Sequence, residues 1–340
     1  MRVLATIGFS FSAGVFLAAL LPWNGWQLYA AGGVLLLALA WLFAARKQKY
    51  FRRGLLILLP LAVSLAYFAG YDHLVRQPIE DRCGAASDFT ATVCDWPQAT
   101  ERGARVTVEL EGYHRARAVL YGEAELLAAR PGDTVTGTAQ WQSAAHFDSD
   151  DVTHFNARGV YALLYGREDV RLSAGDGDAL RWLPQRAGKA FREKVAAIWD
   201  DPRVSGFLTA ELTGDKSAMD DGDYLAMQET GLAHLFAVSG LHCAFLVTLL
   251  ALLISRRQRL LCAVTIPLLL FYMVMVGMSP SVVRACIMQI FLLIAPLFRR
   301  GSDPLTSLAA ALLVILLCNP FAAASVSLQL SFSATLGMVL

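Results

Sequence analysis

Long apolar runs alternate along this chain with one long polar stretch. Residues 3–45, 54–71, 260–283, 285–298 and 305–340 contain no Asp, Glu, Lys or Arg. A helix needs about 20 apolar residues to cross the hydrocarbon core of a bilayer. The runs therefore predict transmembrane helices at about Val3–Leu21, Trp26–Ala45, Gly54–Tyr71, Leu235–Ile254, Leu260–Gly277, Ser281–Phe298 and Pro304–Cys318. A last run starts near Ala324 and reaches Leu340 with no polar flank, so the expectation is a chain that stops inside or at the end of a span, as a fragment or a truncated product would. The first run also suits a cleaved signal peptide, since Arg2 precedes it, but no clear small-residue cleavage site comes before the second run.

Between the apolar blocks the pattern changes to short alternating segments. Asp88–Cys94, Arg105–Glu111, Ala116–Tyr121, Thr134–Trp141, Val160–Tyr165 and Asp169–Leu172 are rich in β-formers and separated by turn residues such as Arg130-Pro131-Gly132-Asp133. Five or six such strands predict a small barrel, OB-like by first choice and a sandwich by the alternative. From about Trp182 the period becomes helical. Arg186–Trp199 places Ala190, Val195 and Ile198 on one face with charges opposite, which suits a helix lying on a membrane surface or on the barrel.

Composition agrees with a membrane class: 56% of residues are hydrophobic and 17% charged, against roughly 25% charged in soluble domains. The net charge of +1 hides two opposed regions. Residues 72–229 hold 17 Lys+Arg against 27 Asp+Glu, and the rest of the chain holds 12 against 1. Basic short loops stay in the cytoplasm. Arg46–Arg53, Arg256–Arg259 and Arg299–Arg300 all fall on one side of the expected spans. This predicts a multi-pass protein of the cell inner membrane, with a cytoplasmic N-terminus and residues 72–229 extracytoplasmic.

Cys243, Cys262, Cys286 and Cys318 fall in apolar runs, where a free thiol behaves as a small hydrophobe. Cys83 and Cys94 alone lie in the exported region, and an oxidising compartment makes a disulfide between them the expectation. No Cys-x-x-Cys occurs, so zinc and redox readings are weak. His146, Asp148, Asp150, Asp151 and His154 crowd into nine residues without a known ligand spacing, and a solvated loop is expected there. No metal, cofactor or catalytic residue is expected.

Polar groups at membrane depth usually face a cavity or a partner. His234, Ser239, Gly240 and His242 gather where a span begins, and Arg284 lies a turn inside another, after Gly277-Met-Ser-Pro280. These five are the candidate lining of a polar path. The competing readings are interhelical hydrogen bonding for the histidines and snorkelling for Arg284. Two basic groups in the exported region, Arg102, Arg105, Arg115 and Arg117, then Arg158, Arg167 and Arg171, are the candidate contacts for a single strand, provided a barrel face sets them beside aromatic rings. The acidic balance of that region runs against phosphate binding.

The segment TGLAHLFAVSGLHCAF, residues 230–245, with the preceding LTGDKS, resembles the hallmark of the ComEC family of competence proteins. GMSPSVVRACIM (277–288) and SLQLSFSATLG (327–337) resemble two further family stretches in the same order. PGDTVTGTAQW (131–141) and HFNARGVY (154–161) resemble the family's external OB-like domain. The resemblance implies an inner-membrane channel passing single-stranded DNA into the cytoplasm during natural transformation, with single-stranded DNA, the lipid bilayer and other competence proteins as partners and a homo-oligomer left open. It also implies that longer members add spans and a metallo-β-lactamase-like domain, which these residues do not reach. The expected domains are 1–71, three transmembrane helices; 72–180, the extracytoplasmic OB-like domain; 181–234, amphipathic or membrane-surface helices; and 235–340, the start of the competence transmembrane domain. A small-solute transporter with an external capture domain and a non-transporting scaffold whose barrel binds a protein or glycan are the other classes. The first would want inverted repeats, which are not seen; the second would not need Arg284 or the histidines inside spans.

Overall fold

The computed structural model describes residues 3–20, 26–44, 51–101, 103–113, 116–147, 150–151, 154–167, 169–177, 179–215, 218–231, 240–254, 258–298 and 303–339. In chain order the helices are α1 (Val3–Leu20), α2 (Trp26–Ala44), α3 (Phe51–Tyr71), α4 (Gln77–Glu80), α5 (His154–Ala157), α6 (Leu183–Ile198), α7 (Pro202–Thr213), α8 (Asp221–Glu229), α9 (Gly240–Ile254), α10 (Gln258–Met275), α11 (Pro280–Ile294), α12 (Pro304–Cys318) and α13 (Val326–Val339). The strands are β1 (Ala86–Val93), β2 (Gln98–Thr100), β3 (Gly103–Leu110), β4 (Arg117–Gly122), β5 (Thr134–Ser143), β6 (His146–Phe147), β7 (Asp150–Asp151), β8 (Val160–Gly166) and β9 (Arg171–Ser173). The chain is a polytopic helical membrane protein carrying a closed β barrel. Among the described residues, Val3–Leu20, Gly54–Glu80, Gln258–Met275 and Ser281–Phe298 are long and apolar enough to cross a membrane, and Gly240–Ile254, Pro304–Cys318 and Val326–Val339 form shorter apolar helices. Two compact units result, Met1–Gly177 with Leu305–Leu340, and Asp178–Pro304.

In the first unit β1, β3, β4 and β5 alternate apolar-in and polar-out, and β8 is buried on both faces, so one apolar set lines a closed interior. Ala91, Val93, Val106, Val108, Ala118, Leu120, Val135, Ala139, Trp141, Ala162 and Leu164 fill the interior, all fully buried. The strand order is β1-β3-β4-β8-β5, and β5 returns to pair with β1. Every pairing is antiparallel except β4 with β8. β5 serves both neighbours by pairing β1 along its first half and β8 along its second. Gly137 lies opposite Phe89 in the segment paired with β1; a Cβ there would stand 2.9 Å from Val170 Cα, so only glycine lets the β8–β9 turn cross. The six expected strands are all present, and β2, β6 and β7 were not foreseen.

The same unit ties the barrel to helices. α1 lies on α3, and α12 approaches so closely that a Cβ on Gly8 would be 2.8 Å from Ala309 O. Beyond α3 the chain stays helical, through a wide π turn at Asp72–Arg76 and on through α4. Arg76 pairs with Asp72 one turn back and Glu80 one turn on. Tyr161 of β8 donates to Tyr71 Oη at 3.2 Å, and Asn319 Nδ2 donates to the Asn156 and Ala157 carbonyls at 2.8 and 3.1 Å. Phe321 packs its ring against Phe68 and Tyr161. Burial and the adjacent Tyr71 hold the Tyr161 hydroxyl protonated far above its ordinary range.

In the second unit, α6 packs on α7 and α10, with Gly188 directly over the Met275 carbonyl. Asp201 caps α7 by accepting from the Arg203 N–H at 2.9 Å, and Pro202 fits the first turn, where no donor is needed. α9, α10 and α11 share one core of Cys243, Leu261, Cys262, Leu269, Val282, Ala285, Cys286 and Leu293. Gln258 Nε2 and Cys262 Sγ both donate to Leu293 O, at 2.8 and 3.2 Å, and pin α10 to α11.

Candidate functional site

On the outer face of the barrel, strand register lines up a row of side chains. Gln98 lies opposite Arg105, Arg105 opposite Tyr121, Tyr121 opposite Tyr165, and Tyr165 opposite Gln140. Partners across a ladder share a face, so the row crosses five strands, about 19 Å at 4.8 Å per strand. Tyr121 and Tyr165 stack, with ring centroids 5.2 Å apart and planes 13° from parallel. Arg105 is held by two hydrogen bonds from Nε and Nη2 to Gln98 Oε1, at 3.0 and 2.7 Å. This fixes one edge of the guanidinium and leaves Nη1 outside those two bonds. Two stacked phenol faces beside an oriented guanidinium are the parts with which single-strand binders hold bases and backbone.

The five described candidate arginines do not form one stripe. Arg102 and Arg115 lie outside the described residues. Arg105 joins the tyrosine row. Arg167 follows it closely, lining a groove of about 540 Å³ with Glu123, Thr138, Gly166 and Asp169. The Thr138 hydroxyl and backbone N–H hold the Asp169 carboxyl below its ordinary range. Arg117 stands at the far end of β4, four residues or about 13 Å from Tyr121, and its register partner is Glu109. Its N–H donates to Gly159 O, beside Arg158. Burial and Arg158 lower the pKa of His154. Arg171 is on β9, opposite Thr136. Tyr121, Tyr165 and Gln98 were not named from the sequence; their outward parity was legible, whereas which strands lie side by side was not.

Of the five path residues, His234 and Ser239 lie outside the described residues. Gly240 opens α9, and its missing Cβ would stand 3.7 Å from Ala285 Cβ, next to Arg284 on α11. Arg284 is half-buried on the second turn of α11. His242 Nε2 lies 3.9 Å from Glu211 Oε1 on α7. Arg192 of α6 pairs at 3.5 Å with Asp215, which follows α7. Glu211 was not singled out in the sequence; among many acidic residues nothing marked it.

The expected disulfide is not formed. No disulfide joins Cys83 and Cys94 in the structure. Cys83 Sγ donates to Ile79 O at 3.4 Å and Cys94 Sγ to Thr92 O at 3.6 Å. The physical reason is β1. It fills the interval between them, and eight residues of strand span about 26 Å, whereas bridged Cα atoms stand within about 7 Å. A short loop in sequence is a long distance in an extended chain.

Against known proteins, residues 212–340 match the family model described as Competence protein. A stretch of 142 residues, 41% of this chain, is 32% identical to ComE operon protein 3 of Bacillus subtilis (strain 168). The chain spans 18% of the length of that relative. No solved structure matches. The matched family segment includes Glu211's neighbour Leu212 and all of α8 to α13.

Proposed function

We propose that this chain forms the outer part of an inner-membrane path that passes single-stranded DNA into the cytoplasm during natural transformation. The observation that carries the reading is the similarity of residues 212–340 to competence proteins, in the segment that holds Gly240, His242 and Arg284. The barrel row of Arg105, Tyr121 and Tyr165 supports the single-stranded form of the substrate, because bases offer faces to stack only when they are unpaired. In this reading residues 72–229 are extracytoplasmic, the barrel receives the strand, and α9 and α11 line the descent. Arg284 meets passing phosphates there, and other competence proteins deliver and draw the strand. The chain is then a conduit, with no chemical step of its own.

The test is uptake of labelled DNA by a deletion strain complemented with the full-length gene. Tyr121→Ala with Tyr165→Ala should reduce uptake at least tenfold while the protein accumulates at its parental level. Parental uptake by that double variant would remove the barrel from the path. Alkaline phosphatase fused after Tyr121 should be active, and activity of a β-galactosidase fusion there would reverse the orientation.

A further inference from the structure

Two thiols of the second unit face each other across neighbouring helices. Cys243 on α9 and Cys286 on α11 place their Sγ atoms 3.5 Å apart. Both residues are fully buried, in an apolar cluster with Leu269, Val282 and Ala285. One turn away Gly240 lets the helices come close, its absent Cβ standing 3.7 Å from Ala285 Cβ. A disulfide needs sulfurs about 2.05 Å apart. The gap left to close is thus about 1.5 Å, shared between two χ1 rotations. The other described thiol of this unit, Cys262, donates to Leu293 O at 3.2 Å.

We propose that Cys243 and Cys286 are a reversible cross-link site that staples α9 to α11 as a disulfide. Two S–H bonds break and one S–S bond forms. The two electrons and two protons pass to a quinone of the membrane, which leaves as the hydroquinone. A quinone is the class of oxidant that dissolves in the surroundings of this pair; a charged oxidant would have to leave water to reach it. A dithiol returns two electrons and two protons and restores both thiols. The bond acts next to His242, the neighbour of Cys243, and Arg284, on the same turn as Cys286. Its closure therefore fixes the spacing of two candidate path residues, and its opening lets α11 shift against α9.

The inference does not depend on DNA being the cargo, and its test measures only sulfur. Thiols of growing cells carrying the full-length protein are trapped by acid and alkylated, and the peptides are mapped by mass spectrometry before and after dithiothreitol. A Cys243–Cys286 linked peptide is expected. It should disappear on reduction, rise several-fold after cells are given a permeant quinone, and persist in Cys262→Ser. Complete alkylation of both residues under every condition, quinone included, overturns the proposal. So does a link that appears only in purified protein, or one that Cys262→Ser abolishes. The wild-type map decides the matter even where a cysteine variant fails to accumulate.

Discussion

Cys83 sits in the turn after α4, donating to the Ile79 carbonyl, and burial followed by the charge of Glu80 pushes its thiol up to about 11. At pH 8 that leaves roughly one thiolate in a thousand, against about a quarter for an ordinary thiol near 8.5. Iodoacetamide should therefore modify Cys83 on the order of 100-fold more slowly in the folded chain than in urea, with the rate rising about tenfold per pH unit until pH nears 11. Equal rates in the two states would mean that the site is open. At Arg284 the expectation concerns charge and shape together. Arg284→Ala should insert and accumulate but lose DNA uptake, and Arg284→Lys should keep part of it, since lysine retains the charge without the planar fork. Parental uptake by the alanine variant would make Arg284 structural. Residue by residue, the sequence was a good guide to chemistry and a poor one to company. Arg105 was legible as a basic group on a strand; that Gln98 grips it and Tyr121 stands opposite depends on pairings between strands. Cys83 and Cys94 were legible as an isolated pair, and the same alternating pattern that marked a strand between them already argued against bonding them.

For whole elements the legibility was higher. Apolar runs of 15 to 20 residues are a strong signal because the bilayer demands them, and the expected spans fall within a few residues of α1, α2, α3, α10, α11 and α12. Strand positions were legible for a similar reason: alternation survives in any barrel with a filled interior. Barrel closure was not, because β5 reaches β1 across more than forty residues and no local pattern encodes that pairing. Two consequences can be measured. Leu120 of β4 is fully buried, so Leu120→Ala should cost about 2–5 kcal/mol and shift the urea midpoint of the barrel in detergent-solubilised protein; an unchanged midpoint would mean the barrel does not unfold as one body. Gly8→Leu pushes a side chain into the Ala309 backbone. It should lower the melting temperature by several degrees, as overpacking costs about 1–3 kcal/mol, and Gly32→Leu, with nothing within 4 Å of its Cβ position, should not.

Over the molecule as a whole, charge is the quantity that would decide how a strand is held under the proposed function. Residues 72–229 carry 17 Lys+Arg against 27 Asp+Glu, and of the described candidate arginines Arg105 and Arg167 stand near the tyrosine row. Each phosphate contact contributes a slope of about −0.7 in log K against log salt for single strands. One or two contacts predict a slope between about −0.7 and −1.4, with stacking supplying most of the rest. Polarisation of a labelled oligothymidine with the detergent-solubilised chain tests this. A slope steeper than about −4 would mean that phosphates dominate, and that the described row is not the contact.

The passage from α3 into the barrel carries a mechanical meaning. Residues Gly54–Glu80 form 27 residues of helix, about 40 Å long at 1.5 Å per residue. That exceeds the roughly 30 Å hydrocarbon layer by about two turns. The barrel is therefore mounted on a post, not hung from a cord. Arg76 braces the post on both sides, and Tyr71, Tyr161 and Asn319 lock its head. A tug on anything seated at the outer row becomes a torque on the post, delivered to the far leaflet within the time that a helix takes to lean.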